Sequence, residues 1–544
     1  MIEIDHLPTL PATLRHYAAL HAGREFVVHG MRRLSFAAFE RECAQLARGM
    51  LAHGIGKATR VGILMPDGID FVLALLAAAR IGAFCVPLST LYQPRELRWV
   101  IRHADIDTLL MADQFMNHDF IERVEEAVPG LAAHGPGPLR LAAAPYLRNV
   151  VVWGTASRPW SLPGPDHFLA CADAEPRIDE PFLLAVEASV APADLALMIW
   201  TSGTTADPKG VPHTHGGLVR HTHALLRQSA FAAGDRVLPQ MPLFWIGGLN
   251  VTLFPALYRG ATLVYPESRD PGAVLDLIEQ ERINWITAWP QQFAGLRAHP
   301  AYTDAKVRTM KRGTFSFFGT VDESGRELPT ERTVRALGMS ECFGPHGEWP
   351  VGVPLPPEKQ GSFGVTIDGM ERYIGDPDTG AALPLGEKGE LYIRGYALTP
   401  GLYKKERHET FTADGWYRTG DLCSMDADGH IYFHGRSGDM VKTMGANVAP
   451  REVEVVLESF DEIKEAVVVG IPDEQLGERL VAVVLPAAGV VPDVEALRQR
   501  LKHEVSAYKI PKEIRVVRYE QIPRTGGAKV HKRLLREAWL NGTL

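Results

Sequence analysis

A loop dense in hydroxyl groups and followed by a lysine is the first stretch of this chain that could do chemistry. In "MIWTSGTTADPKG" an apolar run leads into Thr201, and the loop continues through 202–205 to Lys209. Successive backbone N–H groups and hydroxyls suit phosphate oxygens, and a lysine adds a point charge. The GxxxxGK[ST] phosphate-loop pattern is absent, because Pro208 precedes Lys209 and Gly210 follows it. Taken alone, the loop fits either a phosphate site or a surface turn rich in serine and threonine.

The segments before this loop alternate between amphipathic helices and short apolar strands. Ser35 is a predicted N-cap for a helix over 35–53, whose apolar residues recur at spacings of three and four, and Gly54 ends it. The pattern predicts further helices near 70–80 and 94–103, and buried strands at 60–65, 83–88 and 107–111. This alternation indicates an α/β fold with a parallel-rich sheet. Residues 127–147, rich in Ala, Pro and Gly, are predicted to be a surface excursion.

The later segments have a different character. The stretches "GELYIRG", "DGWYRTGDL" and "DGHIYFHGR" predict antiparallel strands joined at Asp-Gly turns. After Gly435 the pattern predicts a strand, a loop, a helix opened by Pro450, two strands and a helix over 493–505. Residues 498–537 hold 12 Lys and Arg against 4 Glu. That excess fits either a site for a small anion or a solvated charged face.

Composition narrows the class of protein. The 544 residues exceed what one hydrophobic core needs, and 46% hydrophobic with 22% charged residues is typical of a soluble globular protein with two or more domains. The net charge of −8 argues against a general nucleic-acid binder. The acidic start is unlike a secretory signal, and the most apolar stretch, broken by Arg80, Gly82 and Pro87, predicts a buried helix and strand instead of a membrane span. Five scattered cysteines without a CxxC pair are typical of reduced, cytoplasmic thiols.

Seven ordered motifs together resemble those of the adenylate-forming superfamily, which includes acyl- and aryl-CoA synthetases, peptide-synthetase adenylation domains and luciferases. They are "TSGTTADPKG", "MPLFWIGGLN", "GMSE", "GELYIRG", "WYRTGDL", "GRSGDMVKTMGANVAPREVE" and "PRTGGAKVHK", and they span nearly the whole chain. The resemblance implies a large AMP-binding domain over 1–434, built of two α/β sheets and a small β-barrel. It also implies a hinge at 435–438, with Gly438 at the hinge position, and a small mobile α+β domain over 439–544.

The family joins a carboxylate to AMP with release of pyrophosphate, and then passes the acyl group to a thiol. The resemblance therefore implies ATP, Mg²⁺ and coenzyme A as co-substrate. Glu341 matches the magnesium-binding glutamate, and Lys529 matches the catalytic lysine that neutralises charge at the α-phosphate. The implied ATP and AMP contacts are Thr201, Ser202, Gly203, Thr204, Thr205, Lys209, Gly338, Met339, Ser340, Asp421 for the ribose hydroxyls, and Arg436.

The same resemblance implies an acyl pocket and a separate face for the thiol step. The acyl pocket is expected at Trp245, Gly247, Gly248, Phe317 and Phe318. Because these side chains are apolar or small, we expect a bulky hydrophobic acid: fatty, aromatic or polycyclic alicyclic. Lys442 and Gly445 are expected to line the path of the thiol after the small domain rotates. Glycine there permits close backbone approach.

Several positions depart from the family pattern without removing a charged catalytic group. Ala206 replaces a loop glycine, Leu337 replaces the aromatic residue that stacks on adenine, and Trp245 replaces a common histidine. Gly438 replaces Asp or Lys at the hinge, and Ala528 replaces the glycine before the lysine. The histidines of "HTHGGLVRHTH" suggest zinc, but no second cluster with ligand spacing accompanies them.

The sequence therefore predicts a carboxylic acid–CoA ligase that acts through an acyl-adenylate. An amino-acid adenylation domain is disfavoured, because Phe244 and Trp245 stand where those enzymes place an aspartate. An acyl-AMP ligase that loads a carrier protein and a non-enzymatic nucleotide-binding protein stay as alternatives. The expected partners are a small carboxylic acid, ATP and CoA, with a carrier protein or a second copy of the chain as further candidates.

Overall fold

The computed structural model describes residues 4–116, 118–201, 208–226, 231–288, 290–310, 312–313, 337–349, 355–436, 440–524 and 530–544. Its α-helices, in chain order, are α1 Leu10–Leu20, α2 Phe36–His53, α3 Ile69–Arg80, α4 Pro94–His103, α5 Phe120–Ala127, α6 Gly164–Ala174, α7 Glu180–Ala188, α8 His215–Leu225, α9 Phe254–Arg259, α10 Pro271–Gln280, α11 Pro290–Ala298, α12 Asp304–Val307, α13 Pro450–Glu458, α14 Val494–Glu504 and α15 Lys532–Leu540.

The strands of the N-terminal part are β1 Glu25–His29, β2 Arg32–Ser35, β3 Arg60–Leu64, β4 Phe84–Pro87, β5 Thr108–Ala112, β6 Gln114–Phe115, β7 His118–Asp119, β8 Asn149–Trp153, β9 Ser161–Pro163, β10 Leu195–Thr201, β11 Lys209–Thr214, β12 Arg236–Pro239, β13 Thr262–Tyr265, β14 Trp285–Thr287 and β15 Arg312–Gly313. Those that follow are β16 Gly338–Met339, β17 Gly344–Pro345, β18 Gly347–Glu348, β19 Val365–Thr366, β20 Met370–Gly375, β21 Gly389–Gly395, β22 Tyr417–Met425, β23 Ile431–Arg436, β24 Val441–Thr443, β25 Ala446–Val448, β26 Ile463–Asp473, β27 Gly477–Pro486 and β28 Glu513–Val516.

Two parallel-rich sheets form the body of the large domain. One has the order β11-β10-β4-β3-β5-β8-β9 and the other β15-β14-β12-β13-β1-β2, with antiparallel pairing at β10–β11 and β1–β2. Helix α3, buried at every position except Asp70, packs against strands of both sheets. The apolar stretch that contains α3 and β4 is thus a buried helix and strand, as the sequence predicts. Among the described helices, none is long and apolar enough to cross a membrane.

Local sequence patterns explain where the helices begin and end. The Ser35 hydroxyl accepts a hydrogen bond from the Ala38 N–H at 3.1 Å, and α2 ends at Gly54, whose φ of 99° is left-handed. The predicted helix over 94–103 is confirmed as α4. Apart from Ala127, the last residue of α5, the excursion at 127–147 contains no helix or strand in the structure, but it is only partly a surface segment. Leu131, Leu139 and Leu147 are fully buried, since they cover the core beneath the loop.

The chain after β15 contains two further sheets of four or more strands within its described residues. Strands β20 to β23 form an antiparallel sheet, beside the two-stranded ladders β16–β17 and β18–β19. The small domain has the order β25-β24-β27-β26, with β28 parallel to β27. Alternate residues of β26 face two different apolar clusters: Val468 packs with α13 and α14, and Val467 packs with α15. The small domain is therefore α+β, as predicted.

Candidate functional site

The predicted phosphate loop joins two paired strands. Thr201 at the end of β10 lies opposite Lys209 at the start of β11. The Thr201 hydroxyl is buried and makes no hydrogen bond within the described part of the chain. Ser202, Gly203, Thr204, Thr205 and Ala206 lie outside the described residues. The β10–β11 pairing thus holds the two ends of the loop side by side.

Glu341 is the charged centre of the site. It is 5% exposed, and its Oε1 atom lies 2.6 Å from the Lys209 ammonium and accepts a hydrogen bond from the Tyr417 hydroxyl at 3.0 Å. Burial alone would raise the pKa of Glu341, but Lys209 and Tyr417 outweigh burial and hold the pKa below its ordinary value. The carboxylate is therefore anionic at neutral pH. It fits Mg²⁺, because it is a hard oxygen donor in a place that already accommodates a positive charge.

The motif that carries Glu341 has a tightly constrained backbone. Ser340–Cys342 form a single 3-10 turn, and Phe343 follows with a positive φ of 56°. Gly338 and Met339 form β16, and a Cβ atom at Gly338 would lie 2.5 Å from the Gly344 carbonyl oxygen. Glycine is thus required at 338. Leu337 is half-buried and packs against the core of the antiparallel sheet.

Asp421 lies in the same antiparallel sheet as Tyr417. Asp421 is 1% exposed, and it lies opposite Arg436 in the β22–β23 ladder. Its backbone N–H donates to the Thr419 hydroxyl at 3.0 Å. The sheet therefore brings the two predicted nucleotide contacts together on neighbouring strands, as their motifs suggest. Their roles toward ribose and phosphate stay predictions.

A cavity of about 160 Å³ lies between the two domains. Large-domain residues from β10, from 245–247 and from the 3-10 turn line one side, and small-domain residues line the other. The lining residues are Tyr92, Ile199, Trp200, Thr201, Pro208, Trp245, Ile246, Gly247, Ser340, Gly445, Ala446, Asn447, Tyr508 and Lys509. The cavity thus connects the predicted phosphate loop, the predicted acyl pocket and the predicted thiol face.

The structure separates the predicted acyl-pocket residues. Trp245 and Gly247 line the cavity, at the start of a π-helical turn over Gly247–Leu253. Gly248 is not among the described lining residues: it is buried, and a Cβ atom there would lie 2.2 Å from the Pro242 carbonyl oxygen. Gly248 therefore allows close backbone packing instead of leaving room for the acid. Phe317 and Phe318 lie outside the described residues.

Of the two residues predicted for the thiol face, one lines the cavity and the other does not. Gly445, with a φ of 79°, is in the β24–β25 turn and lines the cavity. Lys442 is exposed and is not among the described lining residues. The hinge residue Gly438, Lys529 and Ala528 lie outside the described residues.

The sequence does not predict some residues of the site. Tyr417 is part of a predicted motif without a role of its own, and no sequence pattern indicates Glu96, Ser506, Tyr508 or Lys509. Lys509 belongs to the basic stretch 498–537, yet it is 3% exposed and paired with carboxylates. Its position in "AYKIP", where it follows an aromatic residue in a short turn, gave no indication of a partner 413 positions away.

The histidines of 213–223 have separate structural roles. The His215 Nδ1 atom accepts a hydrogen bond from the Leu10 N–H at 3.2 Å, and the His221 Nε2–H donates to the Pro345 carbonyl at 2.8 Å. Burial lowers the pKa of His213 to about 3 and the pKa values of His215 and His221 to about 4. These rings are therefore neutral at physiological pH.

Comparison with known proteins identifies the family. The model of the AMP-binding enzyme family matches residues 14–403, and that of the AMP-binding enzyme C-terminal domain matches residues 452–529. The chain belongs to the AMP-binding enzyme family. It is an enzyme of the acyl- and aryl-CoA ligase class that acts through an acyl-adenylate, a class that uses ATP and CoA.

The names of relatives in this class indicate different substrates. The chain is 27% identical to a putative acyl-CoA synthetase, YngI, of Bacillus subtilis, over 99% of this chain and 98% of that protein. It is 28% identical to a feruloyl-CoA synthase of Amycolatopsis sp (93% and 94% covered). It is 30% identical to a sulfoacetate–CoA ligase of Cupriavidus necator (93% and 92% covered).

Solved structures show the same fold. Amide bond synthetase McbA from Marinactinospora thermotolerans superposes with a TM-score of 0.75 at 24% identity, covering 96% of this chain and 99% of that one. The o-succinylbenzoate CoA synthetase MenE from Bacillus subtilis superposes with a TM-score of 0.72 at 21% identity, covering 96% and 98%.

Proposed function

We propose that this chain is an ATP- and Mg²⁺-dependent carboxylic acid–CoA ligase that activates a hydrophobic monocarboxylic acid. The observation that carries the proposal is the position of Glu341. It is buried beside Lys209 and Tyr417, next to a cavity that both domains line.

The first half-reaction brings a carboxylate to the α-phosphate of ATP, so negative charge must be offset. Glu341 would hold Mg²⁺, which supplies positive charge to the phosphates when bound. Lys209, whose side chain is partly exposed, would exchange Glu341 for phosphate oxygens of the nucleotide. Asp421 would accept hydrogen bonds from the ribose hydroxyls.

The second half-reaction needs a protected path for a thiol. Gly445, Ala446 and Asn447 of the small domain form one wall of the cavity, opposite Trp245 and Gly247. This arrangement suits the approach of the CoA thiol to an acyl-adenylate. Lys529, on the predicted adenylation face, would act in the first step only.

The apolar wall of the cavity supports the proposed acid class. Ile199, Trp200, Trp245 and Ile246 offer hydrocarbon surface beside Thr201. Each additional buried CH₂ is worth roughly 0.8 kcal/mol, so longer apolar acids should gain over acetate.

An acid panel tests the proposal. The full-length protein is incubated with ATP, Mg²⁺ and acetate, octanoate, indoleacetate or sulfoacetate, and pyrophosphate release and acyl-CoA formation are measured. We expect octanoate or indoleacetate to have the highest kcat/KM. Acetate or sulfoacetate as the best substrate would reject the hydrophobic assignment. Pyrophosphate release without acyl-CoA would instead favour a ligase that loads a carrier protein.

A further inference from the structure

One buried charge cluster spans the two domains at the edge of the cavity. Lys509 of the small domain places its ammonium 2.7 Å from Glu96 Oε1 of α4 in the large domain, and 2.8 Å from Glu452 Oε2 of α13. Ser506 donates its hydroxyl to Glu96 Oε2 at 2.8 Å. We refer to Lys509, Glu96, Glu452 and Ser506 as the Lys509 cluster.

The charged side chains of the Lys509 cluster are almost fully buried. The side chains of Lys509, Glu96 and Glu452 are 3%, 8% and 4% exposed. Burial alone would lower the pKa of Lys509, but the neighbouring Tyr508 and the two carboxylates outweigh burial and hold the pKa above its ordinary value. A buried charge that loses its partner is strongly unfavourable. Removing the Lys509 charge would leave Glu96 and Glu452 buried without this partner, so the interface in this structure depends on Lys509.

The Lys509 cluster lies next to the small-domain wall of the cavity and can hold that wall in place. Lys509 itself lines the cavity with Gly445, Ala446 and Asn447. Its neighbour Tyr508 meets Trp245 edge-to-face, with ring centroids 6.0 Å apart. Helix α14 packs on α4, beside this contact. The small-domain wall is thus tied to the large domain by Lys509 and Tyr508 together.

We propose that Lys509 is a positioning residue for thioester formation: through Glu96 and Glu452 it holds residues 445–447 over the cavity in the arrangement that receives the CoA thiol. This inference rests on the proposed ligase function and adds a residue to it. Lys509 acts through the interface, because its charge is already satisfied by two carboxylates. It is therefore expected to matter for the thioester half-reaction and not for the adenylation half-reaction.

Half-reactions on matched variants test the inference. Pyrophosphate release is measured with acid and ATP without CoA, and acyl-CoA formation is measured from supplied acyl-AMP and CoA. Lys509→Met removes the charge and keeps most of the stem. Because a small misplacement of a reacting group can cost up to about 10²-fold, we expect acyl-CoA formation to fall by roughly 10- to 100-fold with pyrophosphate release within about twofold of wild type.

Glu96→Gln is a second variant that keeps an oxygen for Ser506, and we expect the same pattern with a smaller loss. Arg500→Met is the matched control: Arg500 pairs with Glu462 at 2.7 Å inside the small domain, and both half-reactions should be unchanged. Equal losses in both half-reactions, or no loss of acyl-CoA formation in either cluster variant, would overturn the inference.

Hydrogen exchange provides a readout that does not depend on activity. Peptides covering α4 and 445–448 should exchange faster in Lys509→Met than in wild type, with Arg500→Met unchanged. If the wild-type protein releases no pyrophosphate with any acid, the proposed function fails, and this exchange measurement alone then decides whether Lys509 holds the interface. Unchanged exchange in Lys509→Met would reject the positioning role.

Discussion

The two lysine–glutamate contacts beside the cavity differ in exposure and in what they connect. Lys209 and Glu341 both belong to the large domain, and the Lys209 side chain is 27% exposed. Lys509 is 3% exposed and joins Glu96 of the large domain to Glu452 of the small domain. The distances are nearly equal, 2.6 Å and 2.7 Å, so distance does not distinguish the contacts.

The difference in exposure suggests that the two lysine–glutamate contacts have different functions. A partly exposed lysine can exchange one anionic partner for another because water compensates its charge, provided that a cation such as Mg²⁺ takes its place beside the buried Glu341. A buried lysine between two carboxylates cannot do so without leaving a buried charge unpaired. The first contact is therefore suited to substrate binding, and the second to holding an interface.

The largest effects are expected from variants on the two predicted faces of the small domain, one for adenylation and one for the thiol step. Lys529→Ala should reduce acyl-AMP formation on the order of 10²–10³-fold, since it removes the charge that the family resemblance assigns to the α-phosphate, while supplied acyl-AMP is still converted to acyl-CoA. Gly445→Leu should show the opposite pattern, because it fills the cavity and strains a position with a φ of 79°. The measurement is the pair of half-reactions. If Lys529→Ala damaged both halves equally, the two-face assignment would be wrong.

Glu341→Gln tests the exchangeable contact. It keeps the size of the side chain but removes the charge that would hold Mg²⁺, so we expect pyrophosphate release to fall by about 10²-fold with partial rescue by excess Mg²⁺. A magnesium titration of wild type and variant measures this. Glu348→Gln, at a half-buried glutamate that follows in the same region of the chain, serves as the control. Pyrophosphate release at the wild-type rate in Glu341→Gln would exclude the assigned role.

Lys442→Glu tests whether Lys442 contributes to the thiol face. The sequence assigns Lys442 and Gly445 to one face, but in the structure Lys442 is exposed and only Gly445 of the two lines the cavity. We therefore expect Lys442→Glu to reduce acyl-CoA formation by less than about tenfold, as for an exposed charge near a site. An effect as large as that of Gly445→Leu would show that Lys442 contacts the incoming CoA in another domain arrangement.

The sequence predicts local elements better than it predicts partners. The N-cap Ser35, the helix over 94–103 and the Asp-Gly turn between β22 and β23 follow from short-range patterns, and the structure confirms them. Strands β21 and β22 are instead joined by the long segment 396–416. The sequence predicts the Glu341 motif because its residues are adjacent. It does not predict that Lys209 pairs with Glu341 or that Glu96 pairs with Lys509, because 132 and 413 positions separate the partners. The small size of Gly248 favours a place in the pocket, whereas the nearby Pro242 carbonyl explains the glycine.

His346 gives the smallest expected effect, and it contrasts with both lysine contacts because it is buried and pairs with no opposite charge among the described residues. It is 1% exposed, and neither ring nitrogen makes a hydrogen bond within the described residues. Burial, with smaller contributions from Arg372 and His221, lowers the pKa of His346 from 6.5 to about 3. As the pH falls below 6.5, His346 becomes protonated in the unfolded chain, whereas in the folded protein it stays neutral until about pH 3. The free energy of unfolding of the wild type therefore decreases across this window. His346→Leu removes this penalty, and its stability relative to wild type should improve by about 2 kcal/mol between pH 7.5 and pH 5.

Urea unfolding at the two pH values measures the change, with His408→Leu at an exposed histidine as the control. An equal difference between His346→Leu and wild type at both pH values would show that His346 is protonated in the folded protein, and hence that its surroundings are more polar than this structure shows.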